Sequence, residues 1–317
     1  MARLAGDGIE VVLPLVSHSE VVGVLELGKR LGDSSYSGLD HQLLRRLAES
    51  AAPAIRYAQL AEQHAREAVA KERYEQELLL ARTIQRDLLP KRLPDLPGWD
   101  VGALYEPARE VGGDLYDFIE LSDGRWAVVV ADVTDKGVPA AMVMATCRSV
   151  LRGVATGPDR PRPGEVLSRV NELLIPDTPE NMFVTCFYAV IDPASGLLSY
   201  ANAGHCLPLV WSDSVVHIEA RGMPLGLMPG MEYEEGDRTV APGQNILLYS
   251  DGVTEAHNRQ GEMFGAERLN QWVRGRVAGG DLLTDLMSEL TEFVYPSDDL
   301  GDDVTLVALR RAPNPAP

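Results

Sequence analysis

The sequence predicts an α+β fold in which antiparallel sheets are covered by helices and a long helix precedes them. The first observation is the order of the elements: a hairpin, a long helical stretch, and then blocks of strands separated by pairs of helices. Grouped strands argue against a parallel β-α-β array and favour a layered sandwich. The second is the composition, because 317 residues with 45% hydrophobic and 24% charged residues suit a globular protein of about two domains.

Two strand-like runs, 9–16 and 21–27, open the chain, and the polar segment 17–20 joins them. This pattern predicts a β-hairpin. Two strands alone are only marginally stable in water, so we interpret residues 1–40 as a fragment of a larger domain.

The next stretch carries no strand signal and predicts a helical linker over residues 41–93. A seam of small or apolar residues recurs there at alternating steps of three and four: Leu44, Leu47, Ala51, Ala54, Ala58, Ala61, Ala65 and Ala68. Two interpretations are open: a parallel dimerising coiled coil, which would be weak because alanine buries little area, or a helix packed on its own domain. We expect Pro53 to kink or restart the helix.

A proline-containing boundary at residues 91–98 separates this linker from a second domain, predicted over residues 94–311. Its predicted strands lie at residues 101–105, 114–121, 126–131, 183–191, 196–203, 207–212, 246–249 and 303–309. Its predicted helices lie at residues 139–155, 164–174, 266–277 and 282–294. Half of the tail 312–317 is proline, so we expect the tail to be disordered.

The charge of the chain excludes some classes of function. There are 29 Lys and Arg residues against 47 Asp and Glu residues, a formal net charge of −18. Such a charge repels nucleic acid and anionic membranes, and therefore argues against a DNA-binding protein or a metal-dependent nuclease. The sequence has no apolar run long enough to span a membrane and no signal-peptide pattern, which predicts a cytoplasmic protein.

Acidic residues recur where apolar runs end. Asp114, Asp132, Asp251, Asp302 and Asp303 all lie at the end of a predicted strand, next to a glycine or a turn. Any one of them could be structural, but burying several converging carboxylates is costly unless a cation neutralises them. Oxygen ligands without a histidine or cysteine cluster favour magnesium or manganese over zinc.

Five motifs containing these acids resemble, in the same order, those of bacterial metal-dependent protein phosphatases of the PPM type, in the SpoIIE/RsbU-like branch. The motifs are VGGDLYD at 111–117, ADVTDKG at 131–137, NAGH at 202–205, SDGVTEA at 250–256 and DDVT at 302–305. The resemblance covers residues 99–310. It implies an α-β-β-α sandwich of two antiparallel sheets flanked by helix pairs.

The same resemblance implies a mechanism with two Mn²⁺ or Mg²⁺ ions. Asp132 would bridge them, with the Val133 carbonyl on one ion, and Asp251 and Asp302 would complete the other. Asp114 would bind directly or through water, and the Asp303 carboxylate is a further candidate ligand. A hydroxide activated at this binuclear site would hydrolyse phosphoserine or phosphothreonine on a regulatory protein, typically an anti-sigma-factor antagonist.

Two further residues are candidates for catalysis. Arg109 would bind the substrate phosphate; the alternative is a surface arginine paired with Glu106 or Glu110. His205 would donate a proton to the leaving group; the alternative is a tight turn in which the imidazole fixes neighbouring backbone.

Two residues depart from the family pattern Gly-Asp-Val-Ser-Gly-Lys-Gly: Ala131 and Asp135 stand where glycines are usual. Asp135 adds a negative charge that could recruit a third ion or weaken activity. A catalytically weak or inactive signalling module that binds a partner is therefore the alternative function.

The segment at 9–60 resembles, more weakly, the C-terminal part of a GAF sensory domain. The helical linker that follows would make the protein a homodimer.

Overall fold

The computed structural model describes residues 8–31, 35–296 and 300–313. The chain divides into two compact units, residues 1–77 and 78–317. The division lies within the long helix, so that the end of this helix belongs to the second unit. The sequence placed the domain boundary later, at residue 94.

The first unit begins with the predicted hairpin. Strands β1 (Ile9–Ser17) and β2 (Glu20–Gly28) pair in antiparallel fashion. His18 and Ser19 form the turn with φ angles of 50° and 70°, and positive values at both positions suit the twist of a two-residue hairpin. The hairpin prediction is confirmed, whereas the resemblance to a GAF domain is not tested and stays a prediction.

Helix α1 (Gly38–Leu88) is 51 residues long and starts at a capping box. The Ser37 amide donates to the Asp40 carboxylate at 2.8 Å, and the Asp40 amide donates back to the Ser37 hydroxyl at 3.3 Å. The helix is continuous through Pro53, so of the two predicted effects the restart is wrong and the kink stays a prediction. Ala52, in the preceding turn, is fully buried against the hairpin, and this packing supports the helix where proline removes a hydrogen bond.

The second unit contains two five-stranded antiparallel sheets. The first has the order β10-β7-β6-β5-β4 and the second has the order β3-β12-β11-β8-β9. The strands are β3 (Trp99–Glu106), β4 (Leu115–Glu120), β5 (Trp126–Val133), β6 (Val184–Ile191), β7 (Leu197–Ala203), β8 (Leu209–Trp211), β9 (Val215–His217), β10 (Glu235–Thr239), β11 (Asn245–Tyr249) and β12 (Val304–Arg311).

Helices cover the outer faces of both sheets. Helices α2 (Val138–Ala155) and α3 (Pro163–Leu174) contact the first sheet, and α6 (Gly280–Val294) contacts β3 and β12 of the second. The short helix α4 (Gly252–Glu255) and α5 (Gly265–Val273) lie beside α6 in sequence and pack on each other. This arrangement confirms the predicted α-β-β-α sandwich.

The period of two along β11 shows how the core is built. Ile246 and Leu248 belong to the cluster between the two sheets, whereas Leu247 and Tyr249 belong to the cluster beneath α5 and α6. Helix α2 has the length and hydropathy of a membrane span, but in the described structure six of its residues, among them Met144 and Leu151, are buried in the core of this unit.

One predicted strand was too long, and strands β9 and β10 were not predicted. The predicted strand at 207–212 is the shorter β8, followed by a separate β9. Strand β10 was not predicted at all, because its sequence, EGDRT, is polar. It lies at a sheet edge and pairs only with β7, so that backbone hydrogen bonds rather than apolar side chains determine its position.

Candidate active site

Two pairs of neighbouring strands, one pair in each sheet, place the predicted acids. Asp114 directly precedes β4, and Asp132 lies near the end of β5, the strand paired with it. Asp251 follows β11 after one residue, Ser250, and Asp302 and Asp303 precede its partner β12. In an antiparallel pair, the end of one strand lies beside the start of the other. The acids of each pair therefore lie at the same end of that pair.

The charges of these acids act on each other across the two sheets. Burial raises the pKa of Asp114 well above its usual value, and the carboxylates of Asp132 and Asp303 raise it further. Burial and the charge of Asp251 raise the pKa of Asp132 to about 7. The pKa of Asp251 rises to about 6 through burial and then through the charges of Glu255 and Asp302. The five acids therefore form one electrostatic cluster, the acid cluster.

The protein supplies little positive charge to this cluster. Lys136 Nζ lies 2.9 Å from Asp302 Oδ2, and it is the only Lys, Arg or His within ion-pairing distance of the five acids in the described residues. Thr305 Oγ1 donates to Asp114 Oδ2 at 2.6 Å. Asp132, Asp251 and Asp302 are half-buried, so that ions from solvent can reach them.

Asp303 has a structural role that distinguishes it from the other four. Its Oδ1 accepts from the Ala108 amide at 2.8 Å, and its Oδ2 accepts from the Gly113 amide at 2.6 Å. Both oxygens are thus occupied by backbone donors, and Asp303 fixes the two ends of the loop 108–113. Each of these oxygens has a second lone pair, so the assignment of Asp303 as a metal ligand stays a prediction.

The glycines of this loop are required by close packing. A Cβ added at Gly112 would lie 2.2 Å from Asp303 Oδ2, and one added at Gly113 would lie 2.7 Å from the Val133 carbonyl oxygen. Neither glycine has a positive φ. Close packing, and not a left-handed backbone, therefore requires glycine at both positions. The contact at Gly113 also places the Val133 carbonyl beside Asp114.

Sequence reasoning missed Gln85, which attaches the end of α1 to the same loop. Gln85 Nε2 donates to the Gly112 carbonyl at 2.5 Å, and the Gly112 amide donates to Gln85 Oε1 at 3.1 Å. The Gln85 side chain is buried, with 5% of its surface exposed. In the sequence, Gln85 is marked only by its position beside apolar residues near the end of the helix, such as Ile84 and Leu88, and this signal is weak.

His205 lies in a tight turn. Its amide donates to Asn202 Oδ1 at 2.7 Å, its carbonyl accepts from Asn202 Nδ2 at 2.9 Å, and Gly204 has a φ of 72°. His205 Nδ1 lies 2.8 Å from Thr185 Oγ1. Burial lowers the pKa of His205 to about 4, so the imidazole is neutral at pH 7. The structure therefore favours the structural alternative over proton donation.

Arg109 is exposed and lies on the loop that Asp303 fixes. In the described part of the chain it forms no ion pair with Glu106 or Glu110, so that the proposed surface pairing is absent there.

Asp135, which stands where the family pattern has glycine, has a simple structural explanation. Its φ is 75°, in the left-handed region that glycine, asparagine and aspartate tolerate best, and its carboxylate accepts from the Lys136 amide at 2.9 Å.

The chemistry of the donor set fits hard divalent ions. The acid cluster offers carboxylate oxygens, a backbone carbonyl and mutual repulsion that a cation would relieve. Among the described residues, however, no group of three His, Cys, Asp or Glu side chains is already arranged around one point.

Comparison with protein families gives a match for the second unit. Residues 122–312 match the family described as Stage II sporulation protein E (SpoIIE). This chain belongs to the SpoIIE family. The matched segment contains both sheets except for β3 and β4, and it includes four of the five acids.

Two curated relatives extend this result. The chain is 34% identical to protein IcfG of Synechocystis over 266 residues, covering 74% of this chain and 41% of that protein. It is 29% identical to the phosphoserine phosphatase RsbU of Bacillus subtilis, covering 74% of this chain and 70% of that protein. The chain thus spans less than half the length of the first relative.

Solved structures show the same fold. The SiaA-PP2C domain of Pseudomonas aeruginosa has a TM-score of 0.68 at 22% identity, covering 77% of this chain and 99% of that one. The RsbU and RsbW domains of a Mycobacterium tuberculosis protein have a TM-score of 0.60 at 30% identity, covering 70% and 64%. RsbX in complex with magnesium has a TM-score of 0.52 at 13% identity, covering 69% and 98%. The second unit of this SpoIIE-family member therefore has the fold of the SiaA-PP2C domain.

Proposed function

We propose that this chain is a Mn²⁺- or Mg²⁺-dependent phosphatase that hydrolyses phosphoserine or phosphothreonine on a regulatory protein of the anti-sigma-factor antagonist type. The observation that carries the proposal is the acid cluster, in which several carboxylates share one region with a single paired lysine. The similarity to RsbU, which is named a phosphoserine phosphatase, supports the substrate class. We also propose a cytoplasmic location.

Asp132, Asp251, Asp302 and the Val133 carbonyl would hold the ions, with Asp114 as a further ligand. When bound, such ions polarise the phosphoryl oxygens and make water a stronger nucleophile. Asp114 is held by Thr305 and Lys136 reaches Asp302, so both acids are already oriented by neighbouring side chains.

The residues around the cluster position the substrate and the backbone. Asp303 and Gln85 fix the loop that presents Arg109, whose free guanidinium would bind the phosphate of the substrate. Thr185 Oγ1 lies 3.4 Å from the Asp132 carbonyl oxygen and 2.8 Å from His205 Nδ1. His205 would thus act as a neutral side chain that holds Thr185 and, through it, the backbone of Asp132.

The test is phosphate release from candidate phosphoproteins by the purified chain. We expect release to depend on Mn²⁺ and to fall about a hundredfold or more in Asp132→Asn and Asp251→Asn, because each removes a charged ligand. Asp123→Asn is the matched control, since Asp123 lies in the β4–β5 turn and pairs with Arg125. Unchanged Mn²⁺-dependent release in both cluster variants would contradict the proposal.

The alternative function is a weak or inactive phosphatase-like module that binds a partner. Asp135 favours it, because this position adds a negative charge to the loop that carries Lys136. Tight binding of a phosphoprotein, without turnover in excess Mn²⁺, would support the alternative and contradict the enzyme.

We propose that α1 joins two copies of the chain. Several of its large apolar side chains are exposed, including Leu43, Leu47 and Val69 at 59%, 53% and 67%. A parallel partner helix would bury this surface. Light scattering should therefore give the mass of a dimer at micromolar concentration, and a monomer would contradict the proposal.

A further inference from the structure

A cavity of about 480 Å³ lies between the end of α1 and the end of β3, within the second unit. Its walls include Arg82, Gln85, Arg86, Lys91, Tyr105 and Tyr116, and we call it the α1–β3 cavity. None of the proposed metal ligands lines it. The cavity is therefore distinct from the acid cluster. Gln85 lines the cavity and also donates a hydrogen bond to the Gly112 carbonyl, in the loop that precedes Asp114.

The α1–β3 cavity concentrates positive charge in a strongly acidic chain. Arg82, Arg86 and Lys91 line it, and neither arginine has a carboxylate within ion-pairing distance among the residues that the structure describes. Two acids also line it, but Asp87 is paired with Lys91 at 2.9 Å, which leaves Glu106 as the unpaired one. Two free guanidiniums one helical turn apart form a fork that suits the oxygens of a phosphate group.

The remaining walls of the cavity are suited to an apolar body attached to that phosphate. The rings of Tyr105 and Tyr116 and the side chains of Leu89 and Pro90 contribute apolar surface. The Tyr105 hydroxyl is buried without a hydrogen-bond partner in the described structure and packs against Gly112, where an added Cβ would lie 2.3 Å away. Because this hydroxyl has almost no accessible surface, Tyr105 offers the cavity its ring rather than its hydroxyl.

We propose that the α1–β3 cavity binds a small phosphomonoester that carries an aromatic or apolar group. The phosphate lies against Arg82 and Arg86, and the apolar group lies against the tyrosine rings. Inorganic phosphate provides the same charge without the apolar group and therefore binds more weakly. The volume of the cavity is sufficient for a ligand of this size.

The experiment is calorimetric titration of the full chain in excess EDTA, which removes divalent ions and prevents turnover at the acid cluster. The probes are phenyl phosphate, inorganic phosphate and phenol. We expect phenyl phosphate to bind more tightly than either of the others, and its Kd to rise about tenfold or more in the double variant Arg82→Gln/Arg86→Gln. Arg92→Gln is the matched control, because Arg92 is exposed nearby but does not line the cavity.

Binding in Asp132→Asn separates this site from the proposed catalytic one. Unchanged phenyl phosphate affinity in that variant supports the cavity, whereas loss of binding there would assign the probe to the acid cluster and overturn the proposal. An unchanged Kd in the arginine double variant, no binding in EDTA, or equal affinity for inorganic phosphate would each overturn it as well. The proposed phosphatase activity does not depend on any of these results.

Discussion

At the scale of single residues, the position of Asp135 shows how a local backbone requirement limits the choice of side chain. With a φ of 75°, the residue lies in a region that costs most L-residues about 1–2 kcal/mol. Aspartate reduces this cost by local hydrogen bonding, here to the Lys136 amide. The departure from glycine noted in the sequence is therefore compatible with the fold.

We expect Asp135→Val to lower the free energy of unfolding by about 1–2 kcal/mol, because a β-branched residue is poorly tolerated at positive φ. Asp135→Gly should change it by less than about 1 kcal/mol. Urea denaturation measures both. Asp213→Val is the control, since Asp213 is exposed in a turn and does not have a positive φ. Equal effects of valine at positions 135 and 213 would contradict this explanation.

At the scale of elements, one side chain attaches the end of α1 to the loop that precedes Asp114 in the second unit. Gln85 exchanges two hydrogen bonds with Gly112, and Asp303 holds the neighbouring Gly113 amide. The helix and β12 thus hold the loop between β3 and β4 from two sides. Movement of this helix end would displace the backbone that precedes Asp114.

We expect Gln85→Leu to lower the free energy of unfolding by about 2–3 kcal/mol, since it leaves a buried amide and carbonyl of Gly112 without partners. It should also weaken Mn²⁺ binding, because Asp114 follows the loop that is released. Urea denaturation and titration calorimetry measure the two effects. Thr83→Leu serves as the control on an exposed face of the same helix. A stable variant with unchanged Mn²⁺ affinity would refute the role of Gln85.

At the scale of the whole molecule, we expect the acid cluster to couple stability to pH and to metal ions. Asp132 and Asp251 have pKa values of about 7 and 6 in the folded chain, above the ordinary value of 3.8. Between pH 3.8 and about 7, the folded state therefore holds more protons than the unfolded state. The free energy of unfolding falls as pH rises through this window. His205 acts in the opposite direction, because its pKa is lowered to about 4.

We expect the Tm in EDTA to decrease from pH 6 to pH 7.5 more steeply in the natural chain than in Asp132→Asn, which removes an acid whose pKa of about 7 lies in this range. The comparison also cancels the contribution of His205. Mn²⁺ binds the deprotonated carboxylates, so it should raise the Tm more at pH 7.5 than at pH 5. Thermal unfolding followed by circular dichroism measures this. If the Tm had the same pH dependence in both proteins, the claim that the raised pKa of Asp132 lowers stability at neutral pH would be contradicted.

Much of the site could be predicted because its acids have a local signature. Asp132 ends a continuous apolar strand, and Asp251 and Asp114 lie beside glycines. In each case a charged residue occupies a position that its sequence neighbours predict to be buried, and only a few residues of sequence are needed to see this. Strand β10 and Gln85 have no such signature. Their placement depends on pairing with β7 and on contact with Gly112, which are distant along the chain.

The sequence by itself determined the order of the elements and the identity of the acids at the strand ends, because hydrophobic periodicity and turn residues are local properties. Only the tertiary structure decided how these acids divide their roles. Asp303 is occupied by backbone amides, and Lys136 reaches Asp302, through contacts between segments more than 160 residues apart. The balance of burial and charge that raises the pKa values of the cluster exists only once the two sheets have packed.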